Sequence, residues 1–164
     1  MNRADATVLT TSDAATAIIT DGLRASGASV ASWITPADAT ARQSGLFART
    51  ASRSAGWGLA TAARTVITLW PTPAHLDAMA PHLLPYLAPG ATWLQLGPHP
   101  AESAAALAGR AAGRGVALVH APVGRTPDGG LLLPDRHRTA LLRRPLAPAV
   151  RLWITRIPPL AEEI

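Results

Sequence analysis

Neither cysteine nor lysine occurs anywhere in the 164 residues. The first absence excludes disulfides, thiolate metal sites and a thiol nucleophile. The second leaves the whole net charge of +5 to arginine. Six of those arginines fall late in the chain (Arg136, Arg138, Arg143, Arg144, Arg151, Arg156). Aromatic residues make up only 4% of the chain, and no basic stripe interleaved with aromatics or reader motif is present. Nucleic-acid binding is therefore not expected, and Arg136 to Arg144 read as one solvated helix face. No apolar run approaches the ~20 residues that span a bilayer. Met1-Asn2-Arg3-Ala4-Asp5 does not start a signal peptide, so a cytoplasmic protein without membrane contact is expected. No pair of histidines stands at metal-ligand spacing on one element, so no metal is expected.

The apolar fraction is 48% and the charged fraction 15%, as in a globular domain of ordinary burial. Short apolar runs alternate with helical stretches, the pattern of βαβ units around a parallel sheet. Strands are predicted at 6–10, 30–34, 65–70, 91–96 and 116–120. A very short strand is predicted at 46–48, an edge strand at 131–133, and a closing strand at 150–155. Helices are predicted from Ser12, an N-cap, to the stop at Gly27; over 53–64; from Thr72-Pro73 through Met79, with Pro81 and Pro85 breaking any continuation; from Pro100 to Arg114; and over 135–144.

Several segments resemble one family in order and spacing. They are the strand Thr65 to Pro71, Ala88-Pro89-Gly90-Ala91-Thr92-Trp93, the helix from Glu102, and above all residues 111–123, AAGRGVALVHAPV. The chain resembles the NAD(P)-binding Rossmann domain of β-hydroxyacid dehydrogenases, 6-phosphogluconate dehydrogenase and imine reductases. The resemblance covers residues 6–155. It implies a single α/β, Rossmann-like domain over 1–155, mostly parallel with helices on both faces, and a C-terminal tail over 156–164. It also implies NADP(H) or NAD(H) as cofactor, placed at Thr10, Ser12, Ala15, Trp70 and Pro71.

The chain departs from the family pattern in four places. Where the family has Gly-x-Gly-x-x-Gly, this chain has Thr10, Ser12 and Ala15. Side chains there are expected to crowd a pyrophosphate, and Asp13 adds a negative charge where a phosphate would be favoured. Asp13 is equally a good helix-capping charge. After the second strand, Trp33-Ile34-Thr35-Pro36 offers no basic residue for a 2′-phosphate, and Arg42 comes several residues late. The family's Asp-x-Ser-Thr substrate motif aligns with Gln95-Leu96-Gly97-Pro98, without its acid and hydroxyls. The sequence also finishes where the family's helical domain would start, and it has no lysine for that domain's catalytic role. No bound dinucleotide is the expectation, with NADP(H) the cofactor if there is one.

Ligands of an open parallel sheet bind beyond the carboxyl ends of its strands. That rule selects Gly97, Pro98, Pro122, Val123, Gly124 and Arg125 as substrate contacts. His120 and His99 are the candidate acid/base pair, because imidazole exchanges protons near neutral pH; a structural role is the alternative for each. Asp128 is the third catalytic candidate. Arg125 has the geometry to hold a carboxylate or phosphate. His75, His82 and His137 read as surface residues.

Three functions are compatible with these features. The first is a domain that handles a small-molecule substrate in a non-redox step (cyclisation, dehydration or isomerisation) with a histidine acid/base. The alternatives are a minimal NADP(H)-dependent oxidoreductase completed by dimerisation, and a non-catalytic subunit bound to a partner enzyme. Ile157-Pro158-Pro159-Leu160 is an apolar tail expected to cross a homodimer or meet a partner, or else to fold onto its own subunit.

Overall fold

The structure, a computed structural model, describes residues 4–34 and 55–161. β1 (Ala6–Thr10), β2 (Val30–Ile34), β3 (Thr65–Leu69), β4 (Thr92–Gln95) and β5 (Ala117–His120) pair in parallel, in the order β2-β1-β3-β4-β5. Parallel neighbours need long crossovers, and helices supply them: α1 (Asp13–Ala25), α2 (Ala55–Ala62), α3 (Pro73–Leu83) and α4 (Ala101–Ala112). Strand order changes direction between β1 and β3. The crevice that such a switch opens lies at the carboxyl ends of those two strands. The sequence expectation of a Rossmann-like α/β domain with a mostly parallel sheet is met.

Both faces of the sheet are buried, and strand periodicity divides the side chains between them. Val8, Ile67 and Leu94 face one core with Ile19 and Leu23 of α1. Leu9, Val66 and Trp93 face the other, against Leu76, Met79 and Leu83 of α3 and Leu107 and Ala111 of α4. Each such side chain contributes about 1.5–3 kcal/mol on burial. After β5 come a two-stranded antiparallel hairpin, β6 (Gly124–Arg125) with β7 (Leu131–Leu132), then α5 (Asp135–Leu142) and α6 (Pro148–Arg156).

The closing strand expected at 150–155 is wrong: that segment is α6. Pro148 sits in its first turn, and Val150, Trp153 and Ile154 are buried at helical spacing. Trp153 packs so closely on α1 that a Cβ on Gly22 would lie 2.6 Å from its Nε1. Leu131 and Leu132 do not form an edge of the main sheet but pair with β6. Pro81 does not break α3, which runs on to Leu83. The proline costs roughly 3 kcal/mol in a helix interior, and the buried stripe Leu76, Met79, Ala80 and Leu83 outweighs it. Pro85 lies in a short 3-10 turn, Leu84–Tyr86. The strand expected at 46–48, and Arg42, lie outside the described residues.

Residues 157–160 lie on their own chain. Ile157 is buried, Leu133 N–H donates to Pro158 O, and Leu160 N–H donates to Leu133 O. Arg138 of α5 anchors this segment, donating to Ile154 O at 2.5 Å and Ile157 O at 2.7 Å. Of the two outcomes expected for the apolar tail, contact with another molecule or folding onto its own subunit, Ile157 shows the second. Among the described residues no helix is long and apolar enough to cross a membrane.

Candidate functional site

Beyond the carboxyl ends of β1, β3, β4 and β5 lies a cleft of about 360 Å³. Thr11, Ser12 and Ala15 form one wall, Leu69 and Pro71 the next, Leu96 and Pro98 the third, and Val123 and Arg125 the fourth. The lining is mostly apolar, with two hydroxyls and one guanidinium. Arg125 is exposed and makes no ion pair among the described residues. A second groove, of about 240 Å³ between α1, α6 and the tail, has Arg156 as its only charged residue. That guanidinium is engaged with Ala25 O at 3.2 Å.

The β1–α1 turn is built differently from a phosphate-binding loop. Ser12 is extended and caps α1, its Oγ accepting from Ala15 N–H at 3.1 Å. Asp13 stands exposed in the first turn. Positive φ among the described residues occurs only at Gly27, Gly90, Gly115 and Gly129, none of them in this turn. Thr10 does not crowd the cleft as expected. It is fully buried, with its hydroxyl 2.5 Å from Thr16 Oγ1 and donating to Ser12 O at 3.0 Å. The turn's polar groups satisfy one another, and any crowding falls to Ser12 and Ala15.

Gly97, expected as a substrate contact, does not line the cleft but stands buried between Leu96 and Pro98, which do. A Cβ there would stand 2.1 Å from Trp70 O, so the β3 and β4 exits touch through backbone alone. Trp70 itself turns into the core beneath the sheet, and Pro71 is the residue that reaches the cleft. Beneath Gly97 runs a buried polar chain: Trp93 Nε1–H donates to Thr68 Oγ1 at 2.9 Å, and Thr68 donates to Gln95 Oε1 at 2.5 Å. Sequence reasoning passed over Thr68; its one signal is a hydroxyl inside an otherwise apolar strand.

Neither candidate histidine is among the residues that line the cleft. The His99 side chain is 1% exposed, and its Nε2–H donates to Asp77 Oδ1 of α3 at 3.1 Å. His120, in register with Gln95, donates from Nε2 to Gly97 O at 3.2 Å. Burial, foremost, lowers its pKa from 6.5; the Gly97 contact opposes this, while the charges of His99 and His137 add to it. The two rings meet edge to face, centroids 6.1 Å apart. Their expected position facing the cleft is thus corrected: strand alternation turns His120 to the same side of the sheet as Trp93 and Gln95. Asp128 is exposed in the β6–β7 hairpin, where the Thr126 hydroxyl donates to it and holds its carboxyl below the usual range. Gly124 packs against Leu160 of the tail, and Pro122 is half-buried beside Val123; neither borders the cleft.

Residues 13–131 match the NAD binding domain of 6-phosphogluconate dehydrogenase. The chain belongs to this family. Solved structures share its fold. A 3-hydroxyisobutyrate dehydrogenase of Mycobacterium tuberculosis, described with L-serine, superposes with a TM-score of 0.64 at 18% identity, over 93% of this chain and 53% of that one. An imine reductase from Bacillus cereus gives 0.54 at 15% identity, over 84% and 51%. One from Streptomyces aurantiacus gives 0.53 at 18%, over 85% and 53%. The chain therefore spans about half the length of these proteins. No curated protein matches it significantly.

In this NAD-binding domain the start of α1 already has partners of its own. The Ala15 N–H already has an acceptor, Asp13 opposes a second negative charge, and the Ala15 side chain faces the cleft. Leu69, Pro71, Leu96 and Pro98, across the crevice, form an unobstructed apolar wall.

Proposed function

We propose that this member of the family holds a small molecule in its cleft in place of an intact dinucleotide, and serves a non-redox step such as a cyclisation, dehydration or isomerisation. The observation that carries the reading is the self-capped start of α1. A pyrophosphate would displace the Ser12 hydroxyl from Ala15 N–H, forfeiting a cap worth ~1 kcal/mol, and would lie beside the Asp13 carboxylate. Arg125 is the group that would orient an acidic substrate, by a bidentate contact to a carboxylate or phosphate. Shape, the Ser12 hydroxyl and Arg125 carry this reading; the acid/base role expected of His120 and His99 is not part of it, because both rings stand off the cleft.

A second reading is favoured by family membership and by the intact apolar wall opposite α1. It is an NADP(H)-dependent oxidoreductase of the hydroxyacid dehydrogenase or imine reductase type, its substrate pocket completed by a second copy of the chain. A combined variant, Ser12→Gly, Asp13→Ala and Ala15→Gly, separates the two. Calorimetric titration with NADPH is expected to show at least tenfold tighter binding to the variant than to the unmodified chain. Equal affinity would remove the start of α1 as the obstacle and leave the first reading without its support.

A further inference from the structure

The groove between α1, α6 and the tail shares no lining residue with the cleft. Trp153, a residue only 4% exposed, forms part of its wall. The indole lies against Gly22, where a Cβ would stand 2.6 Å from Nε1 and 2.9 Å from Cδ1. Glycine weakens a helix interior; here it leaves the polar edge of the ring at the groove in place of a methyl group. A buried indole N–H normally has an acceptor, yet Trp153 Nε1–H has none among the described residues. The nearby carbonyls are already engaged. At the end of α1, Gly22 O and Leu23 O accept from Ser26 N–H, and Arg24 O accepts from Gly27 N–H. In the tail, Ile157 O accepts from Arg138 and Pro158 O from Leu133 N–H.

Arg156 stands three positions after Trp153 on α6, so the two side chains share a face. Only its Nη1 is used by the protein, at 3.2 Å from Ala25 O and 3.5 Å from Ser26 Oγ; Nε and Nη2 have no partner among the described residues. Indole and guanidinium have donors and no acceptor, and no carboxylate is among the lining residues. The rest of the lining is apolar, with Ile18, Leu131 and Ile157 foremost. We propose that this groove binds a small apolar carboxylate. Its body rests on those three side chains, one oxygen accepts from Trp153 Nε1–H, and its charge faces Arg156. The carbonyl end of α1 alone would repel an anion; the guanidinium bonded to Ala25 O reverses that sign. At about 240 Å³ the groove is smaller than the ~300–1,000 Å³ of drug-sized pockets, which limits the occupant to one ring or a short branched chain.

Nuclear magnetic resonance of the full chain, titrated with benzoate, tests this. The reporters are the Trp153 indole N–H and the methyl groups of Ile18, Leu131 and Ile157. The indole proton is expected to move downfield and saturate, with a dissociation constant of about 1 mM or tighter. Arg156→Gln should weaken binding about tenfold, since a charge-assisted pair is lost. Ala25→Leu fills the groove from an exposed helix position and should abolish the shifts while the remaining spectrum stays folded. Acetate has the charge without the body and benzyl alcohol the body without the charge; each should bind roughly tenfold more weakly or worse. No saturable shift up to ~20 mM benzoate would overturn the proposal. Unchanged affinity in Arg156→Gln or Ala25→Leu would do the same, as would benzyl alcohol binding as tightly as benzoate. Shifts confined to Val123 and Arg125 would place the acid in the cleft and equally overturn it. The reporters lie outside the cleft, so failure here is distinct from failure of the reading of the cleft.

Discussion

Gly97→Ala is the sharpest perturbation of the site's architecture. The added Cβ would lie 2.1 Å from Trp70 O, 3.2 Å from Trp70 C and 3.1 Å from Gln95 Nε2. Two of these are backbone atoms, so no side-chain rotation relieves the clash. Both sides are also tied down, because Leu96 N–H donates to Thr68 O at 2.9 Å and Val123 N–H to Leu96 O at 3.1 Å. The backbone must therefore move by about an ångström against intact sheet bonds, which belongs at the upper end of the ~1–3 kcal/mol typical of overpacking. In a domain of this size that is a fall in Tm of roughly 6–12 °C. The control is Gly109→Ala on the exposed face of α4, where a Cβ meets nothing within 4 Å. There the better helix propensity should add about 0.5–1 kcal/mol. Urea unfolding of both variants, with unchanged slope, measures the difference. A Gly97→Ala chain within about 0.5 kcal/mol of the unmodified one would refute the close approach of the β3 and β4 exits.

Arg138→Ala removes donors to Ile154 O and Ile157 O, and should cost about 2–4 kcal/mol in urea unfolding, because hydrogen bonds from a charged group are among the stronger ones. Arg138→Lys should recover less than half of that, since one ammonium cannot span two carbonyls as the planar fork does. His120 has a lowered folded pKa, so its stability contribution is complete above 6.5 and is lost as pH falls from there through the folded value. Unfolding midpoints at pH 7.5 and 5.5 should therefore differ less in His120→Gln than in the unmodified chain; an equal difference would count against the burial of that ring.

The sheet was legible because its strands are short apolar runs bounded by turn residues, and five of them lie within a residue or two of the expected limits. Ser12 read correctly as a cap for the same local reason. What failed was nonlocal. Val150 to Thr155 is apolar enough for a strand, and only the burial of Val150, Trp153 and Ile154 against α1 and the hairpin makes it a helix. Thr10 and Ser12 are two residues apart and both polar, yet one hydroxyl is claimed by Thr16 inside the core and the other by the helix start. His120 stands at the end of a strand, as expected, but which face it takes depends on the register of β5 against β4. The partners of His99 could not be read at all, because Asp77 comes from a helix 22 positions earlier.

The reading of the cleft rests on the start of α1 refusing a pyrophosphate, and equilibrium titration of the unmodified chain with NADPH, and separately NADH, tests that most directly. The account predicts dissociation constants weaker than ~1 mM, less than about 4 kcal/mol of binding. Micromolar binding of either nucleotide would contradict it and establish the oxidoreductase reading in its place.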